Sequence, residues 1–90
     1  MESNLKASDF AKHLNEKFII DFGSGEAVDI LLTEVHETSS RTFSIVFHLN
    51  KPNHAPQGIY TIRHEKLGKM DLFLVPVGPD NFEAVFNYAD

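Results

Sequence analysis

The chain predicts a mainly β domain, with one short N-terminal helix followed by about six antiparallel strands that form a small barrel or a two-layer sandwich. Two observations carry this reading. Thr42 to Leu49 alternates with a period of two, placing Phe43, Ile45, Phe47 and Leu49 on one side. That spacing lines one face of a strand and would scatter the same residues around a helix. The last third, Gln57 to Tyr88, consists of three runs rich in β-formers with only short polar breaks between them.

The helical signal spans about residues 8–15. Ser8 can cap the first turn, Asp9 suits its positive end, and Ala7, Phe10, Ala11 and Leu14 share a face. A helix of about two turns is marginal alone, so Phe10 and Leu14 are expected to hold it against the sheet. From Lys17 the period changes. Phe18-Ile19-Ile20-Asp21-Phe22 leads into Gly23-Ser24-Gly25, a flexible turn that returns the chain as Ala27 to His36, a hairpin. In this second strand Val28, Ile30 and Leu32 form the apolar face.

Glu37-Thr38-Ser39-Ser40 is the polar turn into the third strand. Asn50 to Gly58 has no hydrophobic period and contains Pro52 and Pro56, which marks a long surface loop. Strand four runs from about Ile59 to His64, a turn through Gly68 follows, strand five runs from Met70 to Val77, and Phe82 to Tyr88 is the last. Pro76 cannot donate to a ladder and belongs at a strand end or an edge. Turns of hairpin length favour an antiparallel meander.

With 90 residues, 42% hydrophobic and 23% charged, the whole of residues 1–90 fits one β-domain. A domain this small leaves a narrow stability margin, so self-association as a homo-oligomer would be unsurprising. Cysteine is absent, which removes disulfides and thiolate chemistry and leaves the eight Phe to supply much of the core. Thirteen acidic against eight basic residues, the basic ones scattered, argue against nucleic-acid binding. No run approaches the roughly 20 apolar residues of a membrane span, and the N-terminus lacks a secretion signal pattern. The expectation is a soluble chain, cytoplasmic as synthesised, for which signal-independent export in a larger assembly stays open.

Reaction chemistry is not visible. The five histidines, His13, His36, His48, His54 and His64, lack the spacing that puts two ligands on one helix face, so hydrogen-bonded surface residues are expected rather than a metal centre. His48 and His64 would meet Glu34 or Glu83 only through a fortunate strand alignment. Gly23-Ser24-Gly25 is not a nucleophile elbow, and neither phosphate-binding fingerprint is present. Glu83 falls on the outer face of the last strand if Phe82, Ala84 and Phe86 face the core; if covered, it would need a partner such as Arg63.

Phe43-Ser44-Ile45-Val46-Phe47, Pro56-Gln57-Gly58-Ile59-Tyr60, Leu72 to Gly78 and Phe82-Glu83-Ala84-Val85-Phe86-Asn87 together resemble a family of small bacterial β-domains of unknown function. The family more usually has Tyr where this chain has Phe82. The resemblance implies an accessory or assembly role near phage-tail-like or fibre-like proteins, and it assigns no catalytic residue.

The reading that follows is a non-enzymatic protein-protein interaction module with no catalytic, cofactor or metal site. Its alternative is a small-molecule or carbohydrate-binding β-barrel. Candidate partner or ligand contacts are Asn53, His54 and Gln57 on the two-proline loop, and, for the ligand-binding alternative, Tyr60, His64 and Tyr88, with His48 also a residue to inspect.

Overall fold

The computed structural model of the protein describes residues 5–22, 25–39, 41–50 and 55–88. One short helix, α1 (Ala7–Ala11), precedes six strands: β1 (Lys17–Asp21), β2 (Ala27–Glu37), β3 (Thr42–Leu49), β4 (Gly58–His64), β5 (Gly68–Pro76) and β6 (Asn81–Asn87). All pairings are antiparallel and close a barrel in the order β1-β2-β3-β6-β5-β4. Of the two architectures the sequence allows, the barrel is the one formed.

The order is not that of a simple meander. β3 pairs with β6 instead of β4, and β4 pairs with β1 through Ile19↔Arg63, Ile20↔Ile62 and Asp21↔Thr61. Residues 50–57 are the longest connection, and they carry the chain from β3 to the opposite wall of the barrel. Shorter hairpin turns could only have delivered it to the neighbouring position.

α1 is shorter than its sequence pattern suggests, and Ser8 does not cap it. Lys6 takes the N-cap position, and its backbone N–H donates to Asp9 Oδ2 at 2.8 Å, so the start is fixed from within the first turn. After Ala11 the chain tightens, with His13 N–H bonded to Phe10 O and Leu14 N–H to Ala11 O, and the helical phase is lost. Leu14 is therefore 39% exposed while Phe10 is fully buried. Asn15, at φ 68°, ends the turn in the left-handed region that Asn tolerates. Its N–H bonds Leu32 O at 2.7 Å, and Leu32 N–H returns to Glu16 O.

β2 contains an irregularity at Thr33, between the Leu32↔Phe47 and Glu34↔Val46 pairs. One extra residue reverses the in-out alternation. Ile30 and Leu32 face inward, then Val35 does, and Glu34 and His36 are left exposed. Thr33 Oγ1 donates to Val46 O at 3.1 Å, which pins the bulge to β3. β3 follows its expected pattern, with Phe43, Ile45, Phe47 and Leu49 all buried. Pro76 is the last residue of β5, where a missing N–H costs least.

Within a core of Ile, Leu and Phe side chains, the aromatic rings gather at three levels. Phe18 and Phe47 meet edge-on at 5.2 Å in the middle. Phe10, Phe43 and Phe86 gather at the end beneath α1, Phe43 and Phe86 stacking at 4.5 Å. Phe22, Tyr60 and Phe82 gather at the other end. Phe73 departs from the expectation that the phenylalanines point inward, because it falls on the outward phase of β5.

Phe47→Ala should cost about 3–5 kcal/mol of unfolding free energy, as for other buried Phe truncations. Val85→Ala, on the outer wall, should stay within about 0.5 kcal/mol. Urea denaturation of the two variants against the parent chain checks both.

Candidate functional site

The turn after α1 and the hairpin between β4 and β5 meet at the helix end of the barrel, where they bring His13, Glu16 and His64 together. His13 Nδ1 lies 2.9 Å from Glu16 Oε1, and His64 Nε2 lies 2.9 Å from the same oxygen. The His64 side chain is 3% exposed against 48% for Glu16. The imidazole of His64 is packed between His13 and Phe18, both with ring centroids at 4.4 Å.

The hairpin itself orients His64. The backbone N–H groups of Lys66 and Leu67 both donate to Nδ1, at 3.0 and 3.2 Å. Gly68, at φ 84°, supplies the left-handed residue that closes this three-residue loop. With Nδ1 accepting two amide hydrogens, the ring proton sits on Nε2, and Nε2 donates to Glu16. Glu16 Oε1 thus accepts from both imidazoles. Among the described residues nothing donates to Oε2.

Ligand atoms of His13, Glu16 and His64 lie within 4.8 Å of one another, close enough in distance for a cation. The donor chemistry does not fit one. A metal-bound histidine uses one nitrogen on the ion and donates the N–H of the other to an acceptor. In His64 the second nitrogen faces two donors, so coordination through Nε2 would require an imidazolate. The cluster is a hydrogen-bonded clasp that ties the α1 turn to the β4–β5 hairpin.

The hydrogen bond from His64 holds the Glu16 carboxyl below its usual range. Partial desolvation pushes the other way, and the His13 hydrogen bond and the electrostatics of both rings add to the lowering.

Next to the clasp, a half-open cleft of about 640 Å³ runs along β1 and β4, lined by Glu16, Lys17, Ile19, Arg63, His64 and Glu65. Ile19 and Arg63 are cross-strand partners. Continuing that register sets Lys17 opposite Glu65. Lys17 Nζ is 3.9 Å from Asp29 Oδ2, a long, exposed pair of little strength.

Among the described residues, the candidate contact residues named from the sequence lie at both ends of the barrel. Asn53 and His54 lie outside the described residues, as does the tip at Gly23 and Ser24. Gln57 is exposed on the crossing connection. Tyr60 belongs to the aromatic group at the same end, its hydroxyl donating to Pro56 O. His64 and Tyr88 are at the opposite end, where the Tyr88 hydroxyl donates to Leu5 O at 2.6 Å. Nor does His64 meet Glu34 or Glu83. His36 bonds Glu34, His48 Nδ1 lies 3.0 Å from Asn81 Oδ1, and Glu83 lies on β6, separated from Arg63 on β4 by β5. The sequence reading missed Glu16. Its three-residue spacing from His13 was the available local signal.

These features define a small antiparallel β-barrel domain whose lower end is closed by a helix and fastened by a His-Glu-His clasp. The chain belongs to the family described as domain of unknown function DUF6916, whose model matches residues 5–86. The match takes in α1, the clasp and almost the whole of the barrel. Comparisons with curated proteins and with solved structures find no match.

Because Glu16 ionises more readily folded than unfolded, its contribution to stability is complete above the ordinary glutamate pKa. It is lost as pH falls through that value and then through the lower folded one. Thermal melts from pH 7 to pH 3 should show this loss, and Glu16→Gln, which keeps an acceptor oxygen for both rings, should flatten it. In nitrogen-detected NMR at neutral pH, His64 should show a protonated Nε2 and an unprotonated Nδ1.

Proposed function

We propose that this domain works by contacting another protein, as an accessory or assembly module of a larger complex such as the phage-tail-like assemblies to which the family resemblance points. One observation carries the reading. On the outer wall, Ile59 and Phe73 are cross-strand partners on β4 and β5, and Val85 stands on the outward phase of β6. The three are 72%, 51% and 64% exposed. Large apolar side chains exposed on the outward phases of three successive strands of the barrel have a use for a covering surface that scattered ones do not.

The backbone beside these side chains supports the same reading. The β5–β6 ladder comprises only Val75↔Glu83 and Pro76↔Phe82, although the strands extend back to Gly68 and on to Asn87. Over the rest of their length the facing edges of β5 and β6 take no part in strand pairing. An extended segment from a partner could use those edges for main-chain hydrogen bonds while covering Phe73 and Val85.

A ligand held inside the barrel has less support. The interior is occupied by Phe18, Ile20, Ile45, Phe47, Ile62 and Leu74, all fully buried, in the manner of small barrels whose lumen is filled by side chains. The exposed apolar side chains and the open edges favour a macromolecular partner instead.

Phe73→Lys should leave the melting temperature within a few degrees, since Phe73 lies outside the core. In the native host, cross-linking mass spectrometry should find links from Lys69, on the same outward face of β5, to a partner or a second copy. Those links should disappear in Phe73→Lys. A parent chain that stays monomeric in light scattering and forms no Lys69 link would refute the proposal.

A further inference from the structure

Beyond the contact surface, the cleft along β1 and β4 has the makeup of a small-molecule site. Its charged side chains are balanced, with Glu16 and Glu65 set against Lys17 and Arg63, around the half-buried Ile19. Its volume lies within the range of ordinary ligand pockets, about 300–1,000 Å³. Two features separate it from a casual grouping of surface charges.

The first is the fixed carboxylate. Most exposed glutamates must be ordered when a ligand binds, at an entropic cost. Glu16 is already held by two imidazoles at 2.9 Å on Oε1. Its other oxygen accepts nothing among the described residues, so a second donor can be received without breaking the clasp. The second feature is Arg63. It stands beside Ile19 on the adjoining strand and has no ion pair or side-chain hydrogen bond among the described residues. A guanidinium in that state is a ready receptor for a carboxylate, which it can grip with two parallel hydrogen bonds.

We infer that this cleft binds a small zwitterion, an α-amino acid with an apolar side chain. Its ammonium would donate to Glu16 Oε2, its carboxylate would accept from Arg63, and its side chain would rest on Ile19. Neither charge alone accounts for the lining. A simple amine would leave Arg63 unused, and a simple carboxylate would face Glu16 and Glu65 without a compensating cation of its own. The inference is independent of the partner contact at Phe73, which lies on the β4–β5–β6 wall.

Titration of the isotope-labelled full chain with free L-leucine, followed by amide NMR, tests it. Two further titrations use 4-methylpentanoate, which lacks the ammonium, and 3-methylbutylamine, which lacks the carboxylate. L-Leucine should give saturable shifts at Glu16, Ile19 and Arg63, and each half-ligand should bind roughly tenfold more weakly or worse, the worth of one charge-assisted pair. Glu16→Gln and Arg63→Gln should each weaken L-leucine by a similar factor while leaving the rest of the spectrum in place. Absence of saturation, or equal binding of all three compounds, would overturn the assignment. Loss of Lys69 cross-links in Phe73→Lys would be unaffected by either result.

Discussion

Six strands enclose a space narrow enough for side chains alone to fill, and here layered aromatic rings share it with buried Ile and Leu. Phe18 and Phe47 occupy the middle, Phe22 and Phe82 one end, and Phe43 and Phe86 the other. Each layer draws on strands that are distant in sequence, so the rings can pack only when the ladder is closed in the observed order. Phe10 completes the lower layer from outside the sheet. That contact gives a five-residue helix, too short to persist alone, its reason to exist.

The lower end also explains the position of the His-Glu-His clasp. β5 and β6 share a ladder only near the upper end, so the wall is least complete where β5 begins and β6 finishes. α1 and its turn lie at this end, anchored on one side to β3 and β6 through Phe10 and on the other to the β4–β5 hairpin through Glu16 and His64. A buried imidazole with every polar atom partnered can fix such a junction in one arrangement, where an apolar contact would tolerate several. The orientation of Glu16, and with it the character of the neighbouring cleft, follows from a structural need at the barrel end.

Much of the architecture could be read from the chain because strands with one buried face announce themselves by alternation. Phe43 to Leu49 is the plainest case, and Pro76 at a strand end and Gly68 in a turn follow from local backbone chemistry. The ladder order could not be read the same way, since nothing in residues 50–57 says how far across the barrel they travel. The Thr33 bulge was within reach: Leu32 and Val35 are three apart, a step that a regular strand does not permit. His13 and Glu16 stand at a local spacing, but His64 enters from 48 residues away, and only the closure of β4 onto β1 brings it there. The partners of Tyr60 and Tyr88 were hidden for a related reason. A tyrosine placed near a strand end by sequence gives no sign whether its hydroxyl faces a ligand or, as here, a backbone carbonyl of its own chain.

β4 links the two surfaces proposed as contact sites. Ile59, Thr61 and Arg63 all stand on its outward phase, the first on the apolar surface and the last in the cleft, with Thr61 between them bonded to Asp71 of β5 at 2.8 Å. Four residues of extended strand separate Ile59 from Arg63, roughly 13 Å at the usual rise. A partner laid across Phe73 and Ile59 would therefore approach the cleft without filling it. Any coupling between the two would have to pass along a strand that is hydrogen-bonded on both sides, to β1 and to β5. Such a strand transmits displacement poorly unless its neighbours shift with it. The weaker ladder is the one between β5 and β6, and movement there would alter the Phe73 surface while leaving the β1–β4 cleft undisturbed. On this fold, the two proposed sites would act separately.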